Sequence, residues 1–336
     1  MTILVTGCAG FIGFHYSLAV LKNNKKVIGI DNLNNYYDIK LKKDRLNKLK
    51  KFANFTFYKA NLQNKTKLYE IFDKNKFNIV VHLAAQAGVR YSIDNTKEYL
   101  ESNLVGFHNI IELSKSFKIK HFIFASTSSV YGNNKNIPFK ETDDITKPES
   151  FYAATKISNE VISRTYSSIH KMRITGLRFF TVYGPYGRPD MALFKFTKNI
   201  LNNKKIEVYN HGHHVRDFTY VTDIAISIKK LLKKIPKKNE KFNIDKKISF
   251  NSKAKIRVLN IGNGDPKELK DYISKIEKHT KKKAKINFLP FQIGDALKTY
   301  ANINKLKKLI KFKPKVKINE GIKKFVEWYK DFSKKK

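Results

Sequence analysis

Residues 2–13 read TILVTGCAGFIG, an apolar β-forming run that stops on three evenly spaced glycines and passes straight into a helical pattern. Few folds accept that join. Gly7 allows a tight turn, Gly10 lets the backbone approach an anion, and Gly13 lets the helix pack close to the strand. The helix opening there turns its free N–H groups to the same point. Three glycines alone could be no more than a turn, so the rest of the chain decides. Apolar runs recur at 26–31, 55–60, 78–84 and 121–126, with helical patterns over 10–22, 38–51, 64–74 and 97–117 between them. A further run at 172–179 is entered from a helix near 150–170. Repeated βα units predict an α/β fold, a Rossmann-type doubly wound parallel sheet.

The alternation weakens after residue 180. Residues 181–225 mix loops, Gly and aromatics, and the Lys- and Asn-rich stretch 233–255 reads as a surface insertion. Order returns at 256–264, with helices near 266–280, 302–310 and 319–332. We expect residues 1–180 to form the first lobe, with some later segments returning to it. Residues 181–336 would mainly form a smaller second lobe. A 41% apolar fraction over 336 residues is ample for a core. No run approaches the length that spans a bilayer, and the first apolar stretch is too short for a signal peptide. One cysteine, Cys8, cannot close an internal disulfide, and a cytoplasmic location is expected; within the glycine loop it reads as a small filler. The net charge of +40 invites a nucleic-acid reading. Eight of the basic residues are Arg and the rest are Lys spread along the chain rather than gathered in a patch, so no nucleic acid is expected. Nor is a metal site expected.

Asp31 ends the second run, eighteen positions after Gly13. With the glycine loop it completes a dinucleotide fingerprint: its carboxylate would accept from ribose hydroxyls and repel a 2′-phosphate, favouring NAD over NADP. A helix-capping role for Asp31 is compatible.

The fifth run ends in hydroxyls, FASTSSVYG at 124–132, with no acid among them. Downstream, YAATK sets Tyr152 and Lys156 four apart on one helix face. A phenol is too weak an acid to serve as a base at neutral pH unless a nearby cation favours its phenolate.

Taken together, TGCAGFIG, HLAAQAGVRYS, SSVYG, YAATK, LRFFTVYGPYGRPDM, RDFTYVTDI and LNIGN resemble the extended short-chain dehydrogenases/reductases that act on nucleotide sugars. Within that family AAQAGVRYSI, DNLNNYYD and GPYGRPDMA are most similar to the UDP-glucuronate 4-epimerases. The resemblance implies a tightly held NAD bound by Gly7, Gly10, Phe11, Ile12 and Gly13, by Asp31 and Asn32, and by Ala84, Ala85 and Gln86. Asn61 and Leu62 would meet the adenine, with Asn61 standing where the family usually has Asp. It implies Thr127, Tyr152 and Lys156 as the catalytic set, with Tyr152 as the base and Lys156 tuning it and holding the nicotinamide ribose. Asn103 and Phe179 would lie near nicotinamide or substrate. Thr127, Ser128, Ser129 and Thr181 would surround the sugar, Arg188 would hold its carboxylate, and Arg90, Arg216 and Asp295 would line the rest of the UDP-sugar site. A homodimer through the helices at 97–117 and 150–170 is implied as well, although the apolar stripe of SNLVGFHNIIEL could equally face the sheet.

The missing acid then acquires a meaning. Related dehydratases carry Asp-Glu at the positions of Ser128 and Ser129, and related UDP-glucuronate decarboxylases usually carry Ser-Glu. Two neutral hydroxyls remove the acid that elimination needs and supply donors for an anion. The expected reaction is C4 epimerisation of UDP-glucuronate through a 4-keto sugar. UDP-glucose 4-epimerase and UDP-glucuronate decarboxylase are the neighbouring alternatives, and a non-enzymatic NAD- or RNA-binding protein is the alternative of a different class. In the plainest reading, Ser128 and Ser129 only cap a turn.

Overall fold

The computed structural model describes residues 1–237, 254–292 and 294–334. All but the ends of the insertion expected at 233–255 lie outside the described residues. The elements run β1 (Thr2–Thr6), α1 (Phe11–Leu21), β2 (Lys26–Asp31), α2 (Ile39–Lys50), β3 (Phe55–Lys59), α3 (Lys65–Lys74), β4 (Ile79–His82), α4 (Tyr91–Asp94), α5 (Thr96–Tyr99), α6 (Gly106–Ser116) and β5 (His121–Thr127). Next come α7 (Phe151–His170), β6 (Arg173–Phe179), β7 (Thr181–Tyr183), α8 (Ala192–Leu201), β8 (Lys205–Tyr209), β9 (Val215–Arg216), β10 (Phe218–Tyr220), α9 (Val221–Leu231), β11 (Lys255–Ile261), β12 (Lys267–Glu268), α10 (Leu269–Thr280), β13 (Lys285–Leu289), α11 (Asn304–Ile310) and α12 (Ile318–Lys334).

Seven strands form one sheet in the order β11-β6-β5-β4-β1-β2-β3, every neighbouring pair parallel. The fold is therefore the doubly wound α/β sheet that the βα alternation predicts. Ile3, Leu4 and Val5 of β1 are fully buried because helices cover both faces. On one face Phe14, Val20, Ile224, Ile228 and Leu306 pack from α1, α9 and α11. On the other, Leu68, Phe72, Phe107, Ile110 and Ile111 pack from α3 and α6. A third core joins α8, β8, α10 and α12 through Phe194, Ile206, Val208, Tyr272, Phe325 and Tyr329.

The single helix expected over 97–117 is broken by a π turn at Leu100–Val105. The wider turn places the Asn103 side chain inward, a use to which such turns are often put near functional sites. The apolar stripe there divides: Phe107, Ile110 and Ile111 face the sheet, whereas Leu100 and Val105 are exposed. Asp38, not Asp31, caps α2, accepting from the Lys40 amide. Among the described residues no helix is long and apolar enough to cross a membrane.

Candidate active site

The carboxyl ends of β1, β2, β4, β5 and β6 open into a cleft of about 1300 Å³ that continues against α8, β8 and Asp295. Gly7, Gly10, Phe11, Ile12, Gly13, Asp31 and Asn32 line one end. Gly7 takes φ +71°, and a Cβ on Gly13 would collide with the Gly7 carbonyl, so the loop closes only with glycine at both places. No side chain caps α1, which leaves its first amides for an anion. Asp31 binds the same loop: its carboxylate accepts from the amides of Ala9 (3.1 Å) and Leu33 (2.9 Å). Burial pushes this carboxyl up, opposed by the Leu33 amide and the charge of Lys42. An uncapped helix start, a glycine cradle and a carboxylate at the end of β2 fit a dinucleotide.

Ala84, Ala85 and Gln86 line the cleft beyond β4. The Thr6 hydroxyl accepts from the Ala84 amide at 3.2 Å. Asn103 stands behind this wall instead of in it, almost fully buried. Its Oδ1 accepts from the Gln86 amide (2.8 Å) and its Nδ2 donates to the Gln86 carbonyl (3.0 Å) and the Thr155 hydroxyl (3.1 Å). It therefore positions Gln86. Asn61 is exposed on the turn after β3, outside the cleft lining, which at that end is made by Ala60, Leu62 and Gln63.

Thr127 ends β5, and Tyr152 and Lys156 face the carboxyl end of that strand from α7, whose N-cap Ser150 accepts from the Ala153 amide. The Thr127 hydroxyl acts on the Tyr152 phenol, and its Oγ1 donates to Ser129 Oγ at 3.1 Å. Tyr152, Thr127 and Ser129 thus bring three hydroxyls to one stretch of the cleft. Burial raises the Tyr152 phenol, while the Thr127 bond and the charge of Arg188 act to lower it. The Arg188 charge thus favours the phenolate. Lys156 points elsewhere: its Nζ donates to the Ala125 carbonyl at 3.0 Å, burial brings it down to about 8, and its charge acts on His82. Ser128 and Ser129 both line the cleft, and the turn they form is capped by Thr127, not by themselves.

Arg188, Thr181 and Phe179 complete the middle of the cleft. Arg188 bonds both oxygens of Asp190 and donates to the Ala87 carbonyl at 3.3 Å. Burial opposes its charge, but the Asp190 carboxylate outweighs burial and holds it firmly protonated. At the far end, Asp295 lies 2.9 Å from Arg216 and 3.5 Å from Arg90. Arg90 also stacks over the Tyr209 ring.

Behind the chemistry lies a buried support that motif reading passes over. Glu160 of α7 accepts from Arg178 Nε (3.0 Å) and NH2 (2.7 Å) and from the Ser126 hydroxyl (2.5 Å). It joins α7 to β5 and β6, aligning Tyr152 with Thr127. Tyr36 and Asp190 were also missed as site residues, although DNLNNYYD and GRPDM contain them: the Tyr36 hydroxyl donates to Asp190 at 3.2 Å.

The family described as GDP-mannose 4,6 dehydratase matches residues 4–325. The chain is 49% identical to Protein CapI of Staphylococcus aureus over the full length of both. It is 43% identical to a probable UDP-glucuronate 4-epimerase of Rhizobium meliloti, over 98% of this chain and 97% of the other. The crystal structure of UDP-glucuronic acid 4-epimerase from Bacillus cereus, in complex with UDP-glucuronic acid and NAD, superposes with a TM-score of 0.87 at 33% identity, covering 99% of this chain and 100% of that one. With a dinucleotide cradle, a phenol among hydroxyls and a cleft arginine at the carboxyl ends of one sheet's strands, the chain belongs to the GDP-mannose 4,6-dehydratase family of extended short-chain dehydrogenases/reductases and is similar to its UDP-glucuronate 4-epimerases.

Proposed function

We propose that the protein epimerises UDP-glucuronate at C4, giving UDP-galacturonate, with NAD held through turnover. The observation that carries this reading is the meeting of Tyr152, Thr127 and Arg188 in one cleft with the glycine loop and Asp31. The likeness to the Rhizobium and Bacillus epimerases supports it. In this reading residues 1–180, with β11, hold the cofactor, and residues 181–336 mainly hold the UDP-sugar.

Gly7, Gly10, Phe11, Ile12, Gly13, Asp31, Asn32, Leu62, Ala84, Ala85, Gln86 and Lys156 would hold the dinucleotide. Asn103 would do so through Gln86. When bound, NAD supplies a hydride acceptor that returns the hydride, so no net oxidation results. Tyr152 takes the proton from O4′ and gives it back after the 4-keto sugar has turned over in the cleft. Thr127 donates to the phenolate, with Ser129 behind it. Arg188 offers a fork that suits a carboxylate better than a lysine would. A 4-keto glucuronate is a β-keto acid that readily loses CO2. Arg188, Ser128, Ser129 and Thr181 would hold the carboxylate in an orientation that disfavours that loss. Arg216 and Arg90 would face the diphosphate, and Asp295 the uridine ribose.

We also propose a cytoplasmic homodimer, serving surface polysaccharide synthesis. The support is a group of exposed apolar side chains on the π turn and α7: Leu100 at 46%, Val105 at 44%, Val161 at 59% and Ile169 at 64%. Light scattering that returns a monomer mass would remove the dimer.

The reaction is tested by NMR of purified protein with UDP-glucuronate and no added NAD, with UDP-glucose in parallel. UDP-galacturonate without pentose is the expected result. UDP-pentose as the main product would make the protein a decarboxylase. Turnover of UDP-glucose alone would make it a UDP-glucose 4-epimerase. No turnover of either sugar, repeated with NAD added, would shift the reading to a binding protein.

A further inference from the structure

Arg45 of α2 is fully buried, and no carboxylate closes a salt bridge with it among the described residues. It instead gathers three oxygens from three separate stretches of chain. NH1 donates to the Ala9 carbonyl at 2.9 Å and to the Tyr37 hydroxyl at 2.6 Å. NH2 donates to the Tyr186 carbonyl at 2.6 Å. Ala9 belongs to the glycine loop, next to the uncapped start of α1. Tyr37 belongs to the loop that follows Asp31, and Tyr186 stands two residues before Arg188.

Burying a guanidinium is costly unless its hydrogen bonds are well made. A planar fork with five fixed donors can hold three oxygens in one geometry, which an ammonium cannot. Tyr186 also takes φ +60°, a left-handed conformation unusual for a bulky residue. Such a conformation persists only where its surroundings hold it. Arg45 supplies part of that hold, and His15 of α1, 2.8 Å from the Pro185 carbonyl, supplies another part.

We propose that Arg45 is a positioning residue coupling the dinucleotide loop to the arm that carries Arg188, so that cofactor retention and the hold on the sugar acid strengthen together. The proposal deepens the UDP-glucuronate reading and rests on it. Losing the fork frees the Ala9 carbonyl at one end and lets Tyr186 relax at the other. The amides over the cofactor and the guanidinium over the sugar then drift independently.

The test compares wild-type protein with Arg45→Met, Arg45→Lys and Tyr37→Phe. NAD retained after gel filtration is measured by acid release, and UDP-glucuronate affinity by calorimetry with and without saturating NAD. In wild type each ligand should tighten the other about tenfold, within the range for linked sites. Arg45→Met should retain less NAD, bind UDP-glucuronate more weakly, lose the mutual tightening and release UDP-pentose. Arg45→Lys and Tyr37→Phe should fall between, and they decide the matter if Arg45→Met does not fold. A variant series that lowers the melting temperature while NAD content, coupling and product ratio stay at wild-type values overturns the proposal. So does independent binding of the two ligands to wild type, which would leave the proposed reaction standing. A wild-type protein that couples the two ligands but forms no UDP-galacturonate would instead sink the reaction and leave the coupling.

Discussion

Arg188 is clamped by the carboxylate two residues beyond it: Nε meets one oxygen of Asp190 at 3.0 Å, and NH2 meets the other. Tyr36 donates to the same carboxylate from the loop after β2, and its ring lies beneath the guanidinium. Asp190 is consequently both the anchor of Arg188 and a competitor for it. In the proposed reaction, a substrate carboxylate arriving in the cleft would meet an arginine already oriented but partly engaged.

Asp190→Asn keeps the shape and removes the charge. The arginine should become less well held, so turnover should fall about tenfold, as expected for a positioned group allowed to wander. Affinity for UDP-glucuronate should change less, because the competitor is weakened too. Steady-state kinetics with product NMR checks this. Unchanged turnover with a large rise in KM would show that Asp190 does not orient Arg188 for the chemical step.

The pH dependence should report on the same arginine. Burial raises the Tyr152 phenol, and the Thr127 bond and Arg188 charge pull it back. With Tyr152 as the proposed base, the active form is the deprotonated one, so activity should rise with pH until the phenolate is formed. Arg188→Met removes one of the two lowering influences and should move that rising limb to higher pH. Activity should be lost mostly near neutrality and recovered in part in alkali. A limb at the wild-type position, measured as kcat against pH, would assign the tuning elsewhere.

Glu160 and Arg178 form a fully hydrogen-bonded pair deep beneath the cleft. Glu160→Gln leaves the guanidinium buried without its counter-charge and should cost about 3 kcal/mol, as broken buried pairs do. The denaturant midpoint should drop accordingly, and surviving protein should turn over slowly because α7 no longer holds Tyr152 against β5. A midpoint near wild type would show that the pair contributes little.

Acid should unfold the protein from a recognisable source. His82 and His121 are buried, and burial brings each from 6.5 to about 3, with Lys156 adding to the effect on His82 and Arg257 to that on His121. Their folded-state values are depressed, so the unfolded chain takes up protons first. The stability they contribute is present above about 6.5 and is lost as pH falls from there toward 3. Each ring adds about 1.4 kcal/mol per pH unit to that loss. His121→Phe should flatten the curve of urea midpoint against pH by one proton. An unchanged slope would rule out His121.

The parts of the site that lie within one short segment were legible from their own residues. The glycines of the first loop, Asp31 at the end of β2 and the Tyr152–Lys156 pair each declare their chemistry by local spacing. Lys156 donates to the Ala125 carbonyl, and Arg188, whose charge also reaches the phenol, comes from a segment whose approach only tertiary structure reveals. Asn103 was read into the site and stands one layer behind it, since the π turn that aims it inward has no simple periodic signature. Arg45 escaped notice altogether. In a lysine-rich helix it looks like one more solvated cation, and its partner Tyr186 is 141 positions away. Braces of this kind join segments, and no single segment announces them.

The sheet ends in β11, hydrogen-bonded along the outer side of β6 from Arg173↔Lys255 to Phe179↔Ile261. A ribosome finishes β6 long before it makes residue 261. Through that interval the nascent chain carries an open, apolar strand margin able to pair with a neighbour. Cutting the gene after the sixth strand would make that exposure permanent, so the excised first lobe would invite aggregation even with its cofactor loop intact.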